Sequence, residues 1–511
     1  MPGWYHLFSV LSVIATKLVG GLSMPVTPCW KWNNGSRSLS SLNLVHSWLE
    51  DHGVPSSVSM MLGGDWLMVV GVPLPQVGAS YQLYQHVEMN DTVLRTLSYS
   101  LSDALQGHIQ TVVPTTFFGS PRTQWKIPRI LPRSVAAART KTGSEELVTA
   151  RHGEKISVMP SYLRWLYKIV GYVPASVDQN AIATAGYAVE HPSPQDLSAF
   201  MTEYRTDGED ATFTVTQANL DLQYAEALTY PKWNIFYSTG GRLNTARDPY
   251  LNWLIYLLNL ETIPRTISTT YGGPYVMFSS GGWGAGQGDC LVRSSNGQVS
   301  VQFLPEFPAS CPWVTSVGGT TSDHSEIAAI LSGGGFSNYF PRPYLQEIAV
   351  PLFLQDVPTY TAASLILLCI CVPYGRNIPD ISAQALNFEI VIDGEFEEVD
   401  GTSGSAFLRL SHLPPSAVVH PRVPSWPPNV QTVAGTTSLL NDYRLSKGKH
   451  ALGFRNPWLY SFGLPGLNDI TLGSNPGCRT DGFPAVAGWD HVTGLGMPDF
   501  DKLKNIIDEE K

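Results

Sequence analysis

Charged side chains are scarce in this sequence. Asp, Glu, Lys and Arg make up 14% of the 511 residues against 43% hydrophobic, which excludes a disordered chain and a long coiled coil. Basic residues do not outnumber acidic ones, and a net charge of -10 leaves no footprint for nucleic acid. Only six cysteines occur and no two form a C-x-x-C pair, so zinc-ribbon and dithiol redox chemistry have no basis. H-E-x-x-H, G-x-S-x-G and G-x-x-x-x-G-K are absent too, which removes zinc-peptidase, α/β-hydrolase and P-loop readings. The most apolar run, Leu365–Val372, falls far short of the ~20 residues a membrane span needs, so no membrane partner is expected.

What is present is turn chemistry and enough chain for two or three cores. The 46 glycines and 38 prolines predict many irregular connections, as in an extracellular α/β enzyme. A candidate signal-peptide h-region, Leu7–Ala15, opens the chain, although Lys17 follows it and no basic n-region precedes it. The glycosylation sequons at Asn34 and Asn90 fit the same extracellular expectation, with an acidic vacuole-like compartment as second choice.

Taken in order, Leu42–Asp51 reads as a helix, Trp66–Val72 as a strand, and a second helix opens near Pro75. Thr92–Tyr99 and Ile109–Val113 read as strands around a helix at Ser102–Gly107, which makes a compact α+β module. Between Ser120 and Lys155, eight Lys/Arg stand against three Asp/Glu, with several prolines and little periodicity; this predicts an exposed tether of the kind proteases nick. Beyond Pro160 helices and strands alternate. Helices are expected at Leu163–Tyr167, Pro194–Tyr204, Gln217–Glu226 and Tyr250–Leu260, and strands at Ile182–Ala188, Thr212–Val215, Thr266–Thr270, Tyr275–Ser279 and Phe388–Ile392. Such alternation predicts an α/β domain, a mostly parallel sheet with helices on both faces, its sites where strands end in small residues.

One of those strand ends carries a nucleophile candidate. The turn Gly401-Thr402-Ser403 follows Phe388–Ile392 and can present a hydroxyl at a strand-to-helix junction. Around it lie Ala218-Asn-Leu-Asp-Leu-Gln-Tyr224, Phe307-Pro-Ala-Ser-Cys-Pro-Trp-Val-Thr-Ser-Val-Gly-Gly-Thr320, Ser332-Gly-Gly-Gly-Phe-Ser337, Ile378-Pro-Asp-Ile-Ser-Ala383 and Gly488-Trp-Asp490. Upstream stand Gly63-Gly-Asp-Trp-Leu67, Tyr81-Gln-Leu-Tyr-Gln-His86 and Asn90-Asp-Thr-Val-Leu-Arg95. Together these resemble the sedolisin family of serine-carboxyl peptidases, near the fungal tripeptidyl peptidases, over most of the chain.

The resemblance implies a subtilisin-like α/β fold behind an α+β pro-domain that acts as an intramolecular inhibitor. It divides the chain into a candidate signal peptide (1–23), a pro-domain (24–119), a linker with the processing region (120–158) and a peptidase domain (159–511). The activity it implies is hydrolysis of peptides or proteins at acid pH, often releasing tripeptides. Serine attacks, a glutamate rather than a histidine takes its proton, an aspartate orients the glutamate, and a further aspartic acid donates to the oxyanion. A carboxylate that titrates near pH ~4.3 is still a base where a histidine that titrates near ~6.5 is protonated.

Carried over residue by residue, the set is incomplete. Ser403 takes the nucleophile position and Asp221 the orienting one, but Gln217 stands where the family has glutamate. Gly282 stands at the oxyanion position in place of aspartate. Loss of a base costs ~10⁴ to 10⁶ in rate by analogy with triad knockouts, and loss of one oxyanion donor ~10² to 10³. A catalytically impaired homologue that binds peptides is therefore the alternative reading. The chain also carries extra residues between Ser403 and Val433, where Pro414, Pro415, Pro421, Pro424, Pro427 and Pro428 cannot enter the buried helix expected there. That helix is expected to resume at Val433. Such abrupt additions read as an altered splice pattern, which sequencing of the transcript tests.

By the same resemblance Asp469, Ile470, Val486, Gly488 and Asp490 form a calcium loop, two carboxylates and backbone carbonyls supplying hard oxygen donors for Ca²⁺. Cys290 pairs with Cys478 by the same resemblance, leaving Cys311 without a partner. Ser332, Gly333 and Gly334 read either as a place where substrate backbone approaches closely or as a flexible turn.

Overall fold

Short strings of small and β-branched residues such as Ile182–Ala188 suit strands buried on both faces, and in the computed structural model they form the centre of the protein. The structure describes residues 39–52, 157–188, 193–208, 219–240, 259–269, 308–321, 326–356, 374–399, 429–478 and 480–510. It also describes 59–60, 67–68, 82–85, 92–95, 100, 102–105, 130–132, 253–254, 256–257, 276–282, 284–286, 291–293, 299–301, 303 and 306. The chain divides into two compact units, Met1–Thr123 with Thr239–Ile263, and Gln124–Ser238 with Pro264–Lys511. This division differs from the sequence boundaries, because Gln124 onward groups with the larger unit and Thr239–Ile263 with the smaller.

In the smaller unit α1 (Leu39–Asp51) precedes two antiparallel pairs. β1 (Ser59–Met60) pairs with β2 (Leu67–Met68), and β3 (Gln82–Gln85) with β4 (Thr92–Arg95). β3, which the sequence reading did not predict, rests on four cross-strand partners with β4. The helix expected at Ser102–Gly107 is a single 3₁₀ turn, Asp103–Leu105. The helix near Pro75 and the strand Ile109–Val113 fall outside the described residues, as does Thr212–Val215 in the larger unit.

The larger unit begins with β5 (Ile130–Pro132), α2 (Pro160–Leu166), β6 (Ile182–Ala188) and α3 (Pro194–Tyr204), the last capped by the Ser193 hydroxyl on the Asp196 N–H. Then follow α4 (Asn219–Thr229), β7 (Asn234–Gly240), β8 (Thr266–Thr269), β9 (Val276–Ser279) and the hairpin of β10 (Leu291–Arg293) with β11 (Val299–Val301). β12 (Thr315–Thr321), β13 (Ile327–Ala328), β14 (Gly335–Pro341), α5 (Ala349–Asp356), β15 (Gly375–Ile378) and β16 (Ile381–Gln384) come next. β17 (Phe388–Ile392), β18 (Glu395–Val399), α6 (Asn429–Ser446), β19 (Leu467–Asn468), β20 (Met497–Pro498) and α7 (Phe500–Glu509) complete it.

Seven strands form the central sheet in the order β13-β12-β9-β8-β6-β7, with β16 also on β12. β6–β8, β8–β9, β9–β12 and β12–β16 are parallel, and β13 alone is antiparallel to β12. α6 lies across β8, β9, β12 and β16, and α4 packs on α6. Every residue of α6 from Asn429 to Asp442 is buried. The sheet is thus mostly parallel, as expected of a subtilisin-like α/β architecture, with its polypeptide direction fixed by four parallel registers. Among the described residues, no helix is long and apolar enough to cross a membrane.

Candidate functional site

A parallel sheet gathers its loops at the carboxyl ends of the strands, and there the expected site residues converge in part. β9 runs out at Ser279, and Ser280 donates its N–H to the Val317 carbonyl of β12 at 2.8 Å. Gly281 follows with φ 121° and accepts the Gly333 N–H at 3.0 Å. Gly282, the oxyanion position, is buried in this turn and offers no side-chain donor. The Ser-Gly-Gly turn and the Ser332–Gly334 run are therefore neighbours, although the sequence places them about fifty residues apart.

The glycine run is closely packed by neighbouring backbone. A Cβ on Gly333 would collide with the Ser280 carbonyl, and one on Gly334 with the His491 carbonyl. Both glycines thus allow three backbone segments to pack at contact distance. Ser332 is buried as well. Its hydroxyl accepts the Gly319 N–H at 2.9 Å and donates to the Val492 carbonyl at 2.6 Å, which ties the loop to two neighbouring segments.

Ser403 and Gln217 fall outside the described residues, and of Asp221 the structure gives the backbone, in the first turn of α4. What it does fix is the relation between α4 and the hairpin β17–β18, whose last residue, Val399, precedes Ser403 by four positions. Gln223 donates Nε2–H to the Val391 carbonyl at 2.8 Å and accepts the Val391 N–H at 3.0 Å. Tyr224 donates its hydroxyl toward the carbonyls of Val158 and Glu389, each at 2.7 Å. Both side chains are wholly buried, where an unmade hydrogen bond is costly. The helix of Asp221 is thereby keyed to the strands that lead to Ser403. Sequence reasoning assigns a role only to Asp221 in this motif. Gln223 and Tyr224 stand beside it in the same string, but nothing local reveals their partner strand.

On the other side of the sequence gap, α6 begins at Asn429, four residues before the expected resumption at Val433. At this start the Asn429 Oδ1 accepts the Val430 N–H at 2.8 Å and its Nδ2–H reaches the Gly318 carbonyl of β12 at 3.0 Å. Gly435 lets α6 approach α4 so closely that an added Cβ would stand 3.2 Å from the Cβ of Leu228.

The C-terminal loop is drawn together more fully. Asp469 Oδ2 accepts the Gly488 N–H at 2.8 Å. Asp490 Oδ1 accepts the N–H groups of Val492 and Thr493, both at 2.8 Å, and Oδ2 accepts that of Val486 at 3.1 Å. The Thr493 hydroxyl completes the shell. Asp490 is fully buried and all its donors are neutral; loss of solvent outweighs them and pushes its carboxyl up to about 7. A buried carboxylate that meets no cation among the described residues, together with the exposed carboxylate of Asp469, is a donor set that fits a hard cation. Among the described residues no group of three His, Cys, Asp or Glu side chains is clustered, so a metal here would draw on backbone carbonyls.

Of the cysteines, Cys311 is free and buried, and Cys478 is disulfide-bonded to a cysteine outside the described residues. Burial pushes the Cys311 thiol up to about 12, which keeps it inert.

Deeper in the same unit, Asp380 meets Arg376 at 2.5 Å, both inaccessible to solvent. Asp380 also accepts the Ser316 N–H at 2.8 Å, Asn456 Nδ2–H at 3.0 Å and the Tyr460 hydroxyl at 2.9 Å. This node ties β12, the β15–β16 junction and the helical turn Asn456–Trp458 together beneath the glycine loop.

Comparison with known proteins adds four matches. A family model described as the Pro-kumamolisin activation domain matches residues 36–118. The chain is 30% identical over 534 residues to Tripeptidyl-peptidase SED2 of Arthroderma otae, the alignment covering 91% of this chain and 83% of that one. It is 31% identical over 537 residues to Probable tripeptidyl-peptidase SED3 of Trichophyton verrucosum, with the same coverage. Among solved structures, Pseudomonas sedolisin, a serine-carboxyl proteinase complexed with two molecules of pseudo-iodotyrostatin, overlays with a TM-score of 0.47 at 16% identity, covering 70% of this chain and 100% of that one.

Proposed function

Because the chain belongs to the sedolisin family of serine-carboxyl peptidases, we propose that it is the precursor of a secreted, acid-acting peptidase that releases tripeptides or cleaves peptides through Ser403. The observation that carries this reading is the clamp of Gln223 and Tyr224, which keys the helix of Asp221 to the hairpin leading to Ser403. Tripeptide release is supported by the names of the relatives, and an inhibitory pro-domain by the activation-domain match. Secretion is supported by the h-region and the sequons.

In this reading the Ser403 hydroxyl oxygen attacks the scissile carbonyl and must give up its proton. Asp221 orients the group at position 217. Gln217 accepts a hydrogen bond there through its amide oxygen but is far too weak a base to keep the proton. At Gly282 only backbone N–H groups remain to meet the oxyanion. These two positions favour a second reading, a homologue that binds peptides and turns them over poorly if at all.

Calcium belongs to the same proposal. Asp469 and Asp490 would hold it with the carbonyls of Ile470, Val486 and Gly488, and the ion would supply the positive charge that the buried Asp490 lacks.

The test is expression of the full chain with calcium, acidification, and assay on a peptide with a free N-terminus. Hydrolysis abolished by Ser403→Ala supports the peptidase and sinks the impaired reading. No hydrolysis, regained by Gln217→Glu with Gly282→Asp to at least ~10²-fold over background, supports the impaired reading on the assigned residues. Absence of hydrolysis even in that double variant, folded and calcium-loaded, overturns the assignment of Ser403 as nucleophile.

A further inference from the structure

The buried node around Asp380 holds more positive charge than negative. Arg455, next to Asn456 in the chain, is buried like Arg376, and its Nη1 donates to the Thr437 hydroxyl of α6. Its Nε and Nη2 are shut from solvent and meet no acceptor. These two nitrogens share one edge of the planar guanidinium, with their N–H bonds side by side, a fork that can clasp a single acceptor. A hydrogen bond to a charged group is costly to leave unmade in an interior, and here one edge leaves two. We infer that the Nε–Nη2 edge of Arg455 is an internal anion site, which takes one small monovalent anion of the halide class, such as chloride.

The neighbouring groups are committed elsewhere. Asp380 Oδ2 takes Arg376, the Ser316 N–H and Asn456 Nδ2–H, while Oδ1 takes the Tyr460 hydroxyl at 2.9 Å and Gln346 Nε2–H at 3.4 Å. Asn456 Oδ1 accepts the Thr315 hydroxyl at 2.6 Å. The Thr437 hydroxyl, besides accepting Nη1, donates to the Val433 carbonyl at 2.7 Å. None of these reaches the free edge.

Charge selects an anion over a buried water. Among the described residues, two guanidiniums share the single carboxylate of Asp380. Burial opposes the charge on Arg376, but Asp380 overcomes it and the group titrates above its ordinary value. Burial pushes Arg455 down to about 9, with Asp380 opposing only in part. Both guanidiniums are therefore charged at neutral and acid pH, and one positive charge stands unanswered. A water on the fork would satisfy the N–H groups and leave that charge; an anion answers both. Burial of the two nitrogens favours a monatomic ion over a larger one. Bound there, it would brace the helical turn Asn456–Trp458 against α6.

The test is urea unfolding of the full chain at fixed calcium and ionic strength, with sodium chloride exchanged for sodium gluconate, whose anion is too bulky for the site. Chloride at about ten times its Kd is expected to raise the folded-to-unfolded ratio about elevenfold over gluconate, along a saturable curve. Arg455→Met should abolish the increment, and Arg265→Met, at an exposed guanidinium, should keep it. Crystals of the unaltered chain in sodium bromide give a readout that needs no variant: an anomalous peak at hydrogen-bonding distance from Nε and Nη2. Equal stability in the two salts overturns the site, as does an increment that survives in folded Arg455→Met. Absence of the peak overturns it even where Arg455→Met fails to fold. A peak without a saturable increment marks an adventitious ion only and overturns it too. None of these outcomes involves Ser403, so the peptidase reading stands or falls separately.

Discussion

Asp380 and Asp490 are equally hidden from water, yet the chain handles their charges in opposite ways. Asp380 lies against Arg376 and takes further donors from Ser316, Asn456 and Tyr460, so its negative charge is answered from within. Asp490 collects only amide and hydroxyl donors, and its carboxyl rises to about 7. Buried charges persist when paired or metal-bound. Asp380 is thus paired within the scaffold, whereas among the described residues Asp490 faces only neutral donors.

The comparison can be broken most forcefully at Asp380. Asp380→Ala leaves Arg376 buried and unpaired, and a loss of about 3–5 kcal/mol is expected in urea unfolding; a loss under about 1 kcal/mol would show that the pair is dispensable. Next comes calcium. Saturating the wild-type chain to a hundred times its Kd should add about 2.7 kcal/mol of stability, removed by a chelator and absent in Asp490→Asn. An Asp490→Asn chain that still gains the full increment would erase the distinction between the two aspartates.

A third buried carboxylate sharpens the picture through pH. Burial pushes Glu226 up to about 8 from its ordinary value of 4.5, against opposing help from Asn234 and Arg205. Between these values the folded chain holds a proton that the unfolded chain has released. Stability from this group is therefore fully present below pH 4.5 and falls as pH rises toward 8, by at most about 1.4 kcal/mol per unit. Glu226→Gln should flatten that slope in thermal melts at pH 5, 6 and 7, and a slope unchanged by the substitution refutes the attribution. The smallest effect concerns Asp499, whose carboxylate accepts the Lys502 N–H at 3.1 Å as the N-cap of α7. Asp499→Ala should cost about 1 kcal/mol, readable as a small drop in Tm that calcium does not restore.

How far the sequence could be read depends on how local each feature is. β6, α3 and β17 occupy the residues that pattern predicted, because apolar runs and a Ser-Pro helix start are local signals. β3 and β5 were not legible, since each exists through its partner strand rather than through its own periodicity. At the site, Gly282 and the Ser332–Gly334 run could be found by motif. Their mutual contact could not, nor could the occupation of the Ser332 hydroxyl by Gly319 and Val492. The same holds for Gln223 and Tyr224, whose bonds reach more than sixty residues away along the chain.

The burial of α6 from Asn429 to Asp442 has a consequence for how such a chain can diverge. A helix buried over its first fourteen residues draws its stability from the sheet and from α4, and owes little to the residues that lead into it. In the sequence, residues 404–428 stand between Ser403 and α6, and lengthening a connection to that extent costs only about 2 kcal/mol of closure entropy, because that cost grows with the logarithm of length. A gene can lengthen this junction and still specify the architecture.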